Sequence, residues 1–290
     1  MFSTKGFAKV ADAQLILNTK VVQLTVLRLD ALHPVTGGNK HFKLKYNLEH
    51  AQQLKKNTLL TFGGAWSNHI AATALAGMQN GFKTIGVIRG EEEKELNKTL
   101  AFADQCGMQL YFVTREQYRK KEEPDFLLCL PLLEPTKNIY VIPEGGSNEL
   151  GFKGCMEIVK NAPRFDVVVC PVGTGTTLAG ITASLTAGQT ALGIAVLTGE
   201  GYLEKETERY LPEVQRHRFS INHHYTFGGY AKTNIALQQF TANFVQQQGL
   251  LIEPIYTGKM FFGIFDLIQK GFFKQGTRVL SIHTGGLQYL

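Results

Sequence analysis

The sequence predicts an α/β fold built on parallel sheets, and three observations carry the prediction. Short apolar, β-rich runs alternate with amphipathic stretches of helical period along most of the chain. Runs such as Val167-Val168-Val169-Cys170 are apolar at consecutive positions, a pattern that suits a strand whose sheet is covered on both faces. Glycines recur just after the apolar runs, where a parallel sheet hands over to its next loop.

Taken in order, the first strand is expected at Val21–Leu29 and the first helix at His41–Leu54. Thr58–Phe62 is the next strand, closed by Gly63-Gly64, with a helix over Ser67–Gln79. Thr84–Ile88 and Gln109–Val113 flank a helix over Glu91–Cys106, and Ile139–Ile142 runs into Gly145-Gly146 before a helix over Glu149–Lys160. Asp166–Pro171 leads through Gly173 and Gly175 into a helix over Gly175–Ala187, followed by a strand at Ala191–Val196. Helices over Thr233–Gln248 and Lys259–Gln269 precede the last strand, Arg278–His283, which ends at Gly285-Gly286. There is no internal repeat, low-complexity tract or Gly/Ser linker, so a division into two domains requires the chain to cross between them.

Composition narrows the classes. At 290 residues, with 44% hydrophobic and 19% charged residues, the chain suits one large or two modest packed domains and excludes disordered or fibrous structure. The net charge of +6 is scattered, with short clusters such as Arg119-Lys120-Lys121. That favours attraction of small anions over a nucleic-acid face. The four cysteines, Cys106, Cys129, Cys155 and Cys170, form no CxxC pair and no zinc spacing with histidine, so neither metal nor disulfide framework is expected. Met1–Lys20 lacks a signal-peptide pattern and no apolar run reaches membrane-spanning length, so a soluble, cytoplasmic protein is expected.

Three strand-to-helix loops carry the chemistry. In Val172-Gly-Thr-Gly-Thr-Thr-Leu-Ala-Gly180, glycines free the backbone to turn N–H groups toward an anion, and the helix start and threonine hydroxyls add to the attraction. The segment reads equally as a phosphate cup or as a threonine-capped turn; it is neither a Walker loop nor a complete GxGxxG, because Leu178 stands at the third glycine. Gly37-Gly-Asn-Lys-His-Phe-Lys-Leu44 puts Lys40 and Lys43 three residues apart, on one face of a helix, where both ammonium groups could reach one ligand. A lysine amine forms Schiff bases with carbonyl cofactors once deprotonated, although a GGNK turn is more often a solvated helix start. In Gly63-Gly-Ala-Trp-Ser-Asn-His69, Ser67 can cap a helix whose first N–H groups face a carboxylate; an ordinary N-cap is the commoner role.

Together these loops resemble the tryptophan-synthase-β-like pyridoxal-phosphate enzymes (fold type II), and within them the 1-aminocyclopropane-1-carboxylate deaminase and D-cysteine desulfhydrase group. Further matches are Ile142-Pro-Glu-Gly-Gly-Ser-Asn148, Gly228-Gly-Tyr230, Glu253-Pro-Ile-Tyr-Thr-Gly-Lys259 and Ile282-His-Thr-Gly-Gly286, in the family's order from about Val21 onward. Phe42 stands where the family usually has arginine, and Trp66 where it has glutamine. The resemblance implies pyridoxal 5'-phosphate as cofactor, with Lys40 as its Schiff-base residue and later the general base. It assigns the phosphate to Lys43 and to Gly173, Thr174, Gly175, Thr176 and Thr177, the ring hydroxyl to Asn68 and the pyridine nitrogen to Thr284. It further implies the substrate carboxylate on Ser67, Asn68 and His69, and active-site phenols at Tyr230 and Tyr256.

The family fold implies a large domain from residues 1–42 and 148–290 and a small domain over 43–147 that closes on a small amino-acid substrate, and the family's habit implies a homodimer. Family members usually have an extra N-terminal segment and longer middle loops. The implied activity is breakdown of an amino acid to a 2-oxo acid and ammonia. Cyclopropane deaminases of the group carry glutamate and leucine where this chain has Thr257 and Thr284, which favours D-cysteine desulfhydrase-like β-elimination over ring opening. Two rivals are a non-catalytic ligand-binding protein of the same fold, disfavoured by Lys40, and a nucleotide- or nucleic-acid-binding domain, which would need a clustered basic face.

Overall fold

The computed structural model describes residues 14–18, 22–33, 37–91, 95–131 and 136–287. In chain order its elements are β1 (Gln14–Asn18), β2 (Gln23–Arg28), α1 (Asn39–Gln53), β3 (Thr58–Gly64), α2 (Asn68–Asn80), β4 (Lys83–Arg89) and α3 (Lys98–Gln105). Next come β5 (Met108–Val113), α4 (Arg115–Arg119), β6 (Ile139–Ile142), α5 (Glu149–Cys155), β7 (Val167–Val172), α6 (Thr176–Ala183) and β8 (Thr190–Ala195). The last are α7 (Tyr202–Glu208), α8 (Glu213–Arg216), β9 (Phe219–Asn222), α9 (Ile235–Gln248), α10 (Thr257–Gln269) and β10 (Arg278–His283). These residues form two compact units: one is Lys43–Gly151, and the other combines the described residues before Lys43 with those from Phe152 onward.

The Lys43–Gly151 unit holds a four-stranded sheet in the order β5-β4-β3-β6, with every pair parallel. Strand side chains alternate between faces, so neighbouring residues of β3 enter different clusters. Leu59 packs with Leu44, Leu48 and Ala51 of α1, whereas Leu60 and Phe62 join Ile85, Val87 and Tyr118. Helices α2 and α3 close over Ile88 and Met108 through Ile70, Ala74, Leu100 and Ala103.

The second unit holds a six-stranded sheet, β1-β2-β10-β7-β8-β9, in which β1 lies antiparallel on β2 and the remaining pairs are parallel. Val168, Cys170 and Val172 pack with Leu178 and Ile181 of α6 and Leu203 of α7. Val169 points the other way, to Phe244 of α9 and Met260, Phe261 and Ile264 of α10. The consecutive apolar run is thus covered on both faces. Because β2, β10, β7, β8 and β9 run in one direction, the loops that follow them open on the same edge of this sheet.

The fold is the expected α/β one with two parallel-sheet units, and each expected strand is present, although Val21 lies outside the described residues, as does most of Met1–Lys20. Three helices are shorter than expected. In Glu91–Cys106 residues 92–94 lie outside the described set, and the helix begins only at Lys98 because Asn97 caps it, its Oδ1 accepting from Leu100 N at 3.0 Å. Glu149–Lys160 stops as α-helix at Cys155, after which 157, 158 and 160 bond three residues back. Gly175–Ala187 ends at Ala183, where the Ser184 hydroxyl donates to the Ile181 and Gly180 carbonyls. Strands β1 and β9 and the short helices α4, α7 and α8 were not expected; each has eight residues or fewer and a weak period.

Candidate active site

Within the second unit, the approach to Lys40 is fixed by glycine. Gly38 (φ 145°) and Gly285 (φ 83°) bridge each other, and the Asn39 amide donates to the Thr284 carbonyl at 3.3 Å. A Cβ on Gly38 would collide with that carbonyl and one on Gly285 with the Gly37 carbonyl, so both the positive φ and the packing demand glycine. This junction seats the start of α1 against the end of β10. Lys40, on the first turn, donates from Nζ to Asn39 Oδ1 at 3.1 Å, and Asn39 Nδ2 donates in turn to Thr177 Oγ1 at 2.8 Å. Asn39 and Thr177 are both buried. One asparagine thereby ties the candidate Schiff-base lysine to the glycine–threonine loop.

That loop leaves β7 and starts α6 with Gly175 as N-cap at φ 75°, where no side chain caps the helix. The Thr176 amide folds back to the Thr174 carbonyl at 2.9 Å. A Cβ on Gly175 would sit 2.7 Å from Thr207 Oγ1, which holds the turn close to α7. A glycine-led helix start without a side-chain cap presents N–H groups and the positive end of the helix dipole. It fits a phosphate dianion. Tyr256 lies over the loop, its Cε1 3.4 Å from where a Cβ of Gly173 would be, and its ring meets that of Tyr230 edge-on at 5.9 Å.

Two buried charged residues, unassigned by sequence reasoning, shape this edge. Glu253 is fully buried and accepts from the N–H groups of Ile255 (2.6 Å), Tyr256 (2.9 Å) and Thr257 (2.7 Å), which fixes the turn that enters α10. Burial pushes its carboxyl up to about 7, with the backbone N–H bonds opposing. Thr257 spends its hydroxyl on Glu253, 3.1 Å from Oε1. Lys259 is also fully buried, and burial lowers its ammonium to about 8. At the end of β10, His283 donates from Nε2 to the Leu251 carbonyl at 2.8 Å and accepts the Gly285 amide on Nδ1 at 3.3 Å. Burial lowers its pKa, and the facing Asp30 carboxylate is held by Arg28. Thr284 is therefore clamped between two fixed neighbours.

Within the Lys43–Gly151 unit, Ser67 caps α2, its Oγ accepting from Ile70 N at 3.4 Å. Gly63 allows this: a Cβ there would lie 2.7 Å from both Ser67 Oγ and Ile70 Cγ1. Asn68 follows as the first residue of α2. His69 is buried with Nε2 2.9 Å from Thr61 Oγ1. Lys43 is buried too, and its Nζ donates to the Gly145 carbonyl at 3.1 Å. The two lysines of the GGNKHFK stretch are thus engaged by different partners. Phe42, in the usual arginine position, is packed in the core beside Leu29 and Leu178. Trp66 is 47% exposed. Asn39, Glu253, Lys259 and His283 lay inside the quoted motifs, and their membership was the one available signal, because a buried hydrogen-bonding role has no periodicity to betray it.

A doubly covered parallel sheet that offers a lysine and an anion-binding helix start at its carboxyl edge has the means to hold a phosphorylated carbonyl cofactor. The pyridoxal-phosphate dependent enzyme family model matches residues 15–285. A Thermotoga maritima protein provisionally named 1-aminocyclopropane-1-carboxylate deaminase is 30% identical, covering 90% of this chain and 88% of its own. The mitochondrial bifunctional D-cysteine desulfhydrase/1-aminocyclopropane-1-carboxylate deaminase of Arabidopsis thaliana is 28% identical over 91% of this chain and 72% of its own. The crystal structure of a homologue of 1-aminocyclopropane-1-carboxylate deaminase superposes with a TM-score of 0.76 at 28% identity, covering 92% of this chain and 85% of its own. The chain belongs to the pyridoxal-phosphate-dependent enzymes, in the group that contains these deaminases and desulfhydrases. Pyridoxal 5'-phosphate is its cofactor.

Proposed function

We infer that the protein converts a small amino acid to a 2-oxo acid and ammonia by β-elimination, in the manner its D-cysteine desulfhydrase-named relative suggests. The observation that carries this reading is the chain Lys40–Asn39–Thr177, which couples a lysine amine to the helix start best suited to phosphate. Bound pyridoxal phosphate supplies an electron sink for the pair left when the substrate's α-proton departs. Lys40 holds the cofactor before substrate arrives and then, as a free amine, takes the α-proton. The uncapped turn Gly173–Thr177 and the Lys43 ammonium serve the phosphate, Asn68 the ring hydroxyl and Thr284 the pyridine nitrogen. The start of α2, with Ser67, Asn68 and His69, is assigned the substrate carboxylate, and the Tyr230 and Tyr256 phenols the reacting end. With cysteine, the Cβ–S bond breaks, hydrosulfide leaves and is protonated to hydrogen sulfide, and the released enamine takes up water to give pyruvate and ammonia.

Thr284 is a neutral hydroxyl, which, unlike a carboxylate, does not force a pyridine nitrogen to be protonated and so makes a more restrained sink. That suits departure of stable hydrosulfide better than opening a carbon ring to 2-oxobutyrate, the second reading that the relatives' names support. The large domain of this scheme is 1–42 with 148–290, and the small domain 43–147. A cytoplasmic homodimer completes it; no helix among the described residues is long and apolar enough to cross a membrane. The test is incubation with cofactor and D-cysteine, followed by sulfide and pyruvate. Both products from wild type and neither from Lys40→Ala are expected, and equal turnover in the two would refute the assignment.

A further inference from the structure

The loop between β9 and α9 carries Tyr230, and its backbone is unusual. Phe227 (φ 51°), Gly228 (φ 92°), Gly229 (φ 118°) and Ala231 (φ 56°) all lie at positive φ, where residues with side chains are seldom found. Such a path persists only when its surroundings hold it. The internal bonds are few: the Gly229 amide donates to the Thr226 carbonyl at 3.0 Å and the Lys232 amide to the Gly229 carbonyl at 3.2 Å. Further restraint comes from α10. Lys259 Nζ donates to the carbonyls of Thr226 (2.7 Å), Gly229 (2.7 Å) and Val196 (3.0 Å), so three acceptors meet the three N–H bonds of an ammonium. Two of those carbonyls belong to the Tyr230 loop and the third follows β8. Lys259 lies one turn after Tyr256, whose amide is fixed by Glu253.

We propose that Lys259 is a positioning residue: its buried ammonium clamps the 226–232 loop onto the start of α10 and so sets the Tyr230 phenol against Tyr256. The bonds to backbone carbonyls make the device independent of loop side chains. A methionine of similar length would fill the space but release all three carbonyls, leaving buried acceptors without donors. The consequence for turnover rests on the role given above to Tyr230, whereas the clamp itself does not.

The experiment pairs hydrogen exchange with a double-mutant cycle. In Lys259→Met the amides of Gly229 and Lys232 should exchange at least about tenfold faster, with the sheet amides of β7 and β10 unchanged. kcat should fall about tenfold in the wild-type background and less than about twofold in Tyr230→Phe, because the phenol through which Lys259 acts is already gone. Unchanged loop exchange, or the same fractional loss of kcat in both backgrounds, would overturn the proposal. If Lys259→Met does not fold, Lys259→Gln, which keeps two donors but no charge, gives the same readouts. Undiminished turnover in Tyr230→Phe alone would remove the phenol from the reaction, and loop exchange would then decide the clamp by itself.

Discussion

Lys40 sits on the first turn of a helix whose start is built from glycine, and its amine is held by the residue before it. A lysine that forms a covalent link to its cofactor must spend part of its time deprotonated, and an amide oxygen stabilises its charge less than a carboxylate would. Borohydride treatment of the cofactor-loaded protein should therefore fix the cofactor to one peptide, containing Lys40; label recovered elsewhere would end the assignment. Thr177 offers a complementary test. Its Oγ1 is the acceptor for the buried Asn39 amide, so Thr177→Val strands that donor and should cost about 1–3 kcal/mol even without cofactor. Wild-type stability of the cofactor-free variant would show that the Asn39–Thr177 bond contributes nothing to the folded state.

The junction of α1 with β10 and the start of α10 depend on backbone geometry and on buried charge. Gly285→Ala places a methyl group into the Gly37 carbonyl at a φ of 83°, and a loss of about 3 kcal/mol or more is expected in urea unfolding. Glu253 makes the start of α10 sensitive to pH. Its carboxyl is raised from 4.5 to about 7 by burial, so the folded chain keeps a proton that the unfolded chain gives up between those values. The contribution is present in full below 4.5 and is lost as pH passes about 7. Lys259 acts in the opposite sense: lowered from 10.5 to about 8, it gives up its proton first when folded, so its contribution grows from about 8 to 10.5. The Tm of wild type relative to Glu253→Gln should accordingly fall between pH 4.5 and 7, and a constant difference would show that the carboxyl does not titrate there. The buried roles of Glu253 and Lys259 were not legible beforehand. The run Val167–Cys170 announced a covered parallel strand because apolar side chains on both faces leave a mark in composition. A buried glutamate that fixes the turn before a helix leaves none, and the short β9, whose four residues are all partly exposed, lacks the apolar content that marks a strand.

Across the molecule, a parallel four-stranded sheet and a six-stranded sheet parallel in all but β1 keep the chemistry on loops while the cores take the packing, which is why the order of glycine motifs was enough to find the family. The order does not choose the substrate; that depends on how strongly the cofactor ring draws electrons. With the Thr284 hydroxyl at the pyridine nitrogen, as proposed, the reaction should be governed by the leaving group. Hydrosulfide, the group cysteine releases, is a far weaker base than hydroxide, whose conjugate acid is water at about 15.7, and departs far more readily. Rates of 2-oxo acid formation should follow that order: D-cysteine and 3-chloro-D-alanine well ahead of D-serine, and 1-aminocyclopropane-1-carboxylate last, since its ring carbon leaves only if the sink is strong. Replacing Thr284 by aspartate supplies the missing negative charge and should narrow the gap between D-cysteine and D-serine. The measurement is kcat/KM for pyruvate or 2-oxobutyrate across the series in both proteins. Robust 2-oxobutyrate from the cyclopropane amino acid with no sulfide from D-cysteine would show that the ring is not restrained and would reassign the protein to ring opening.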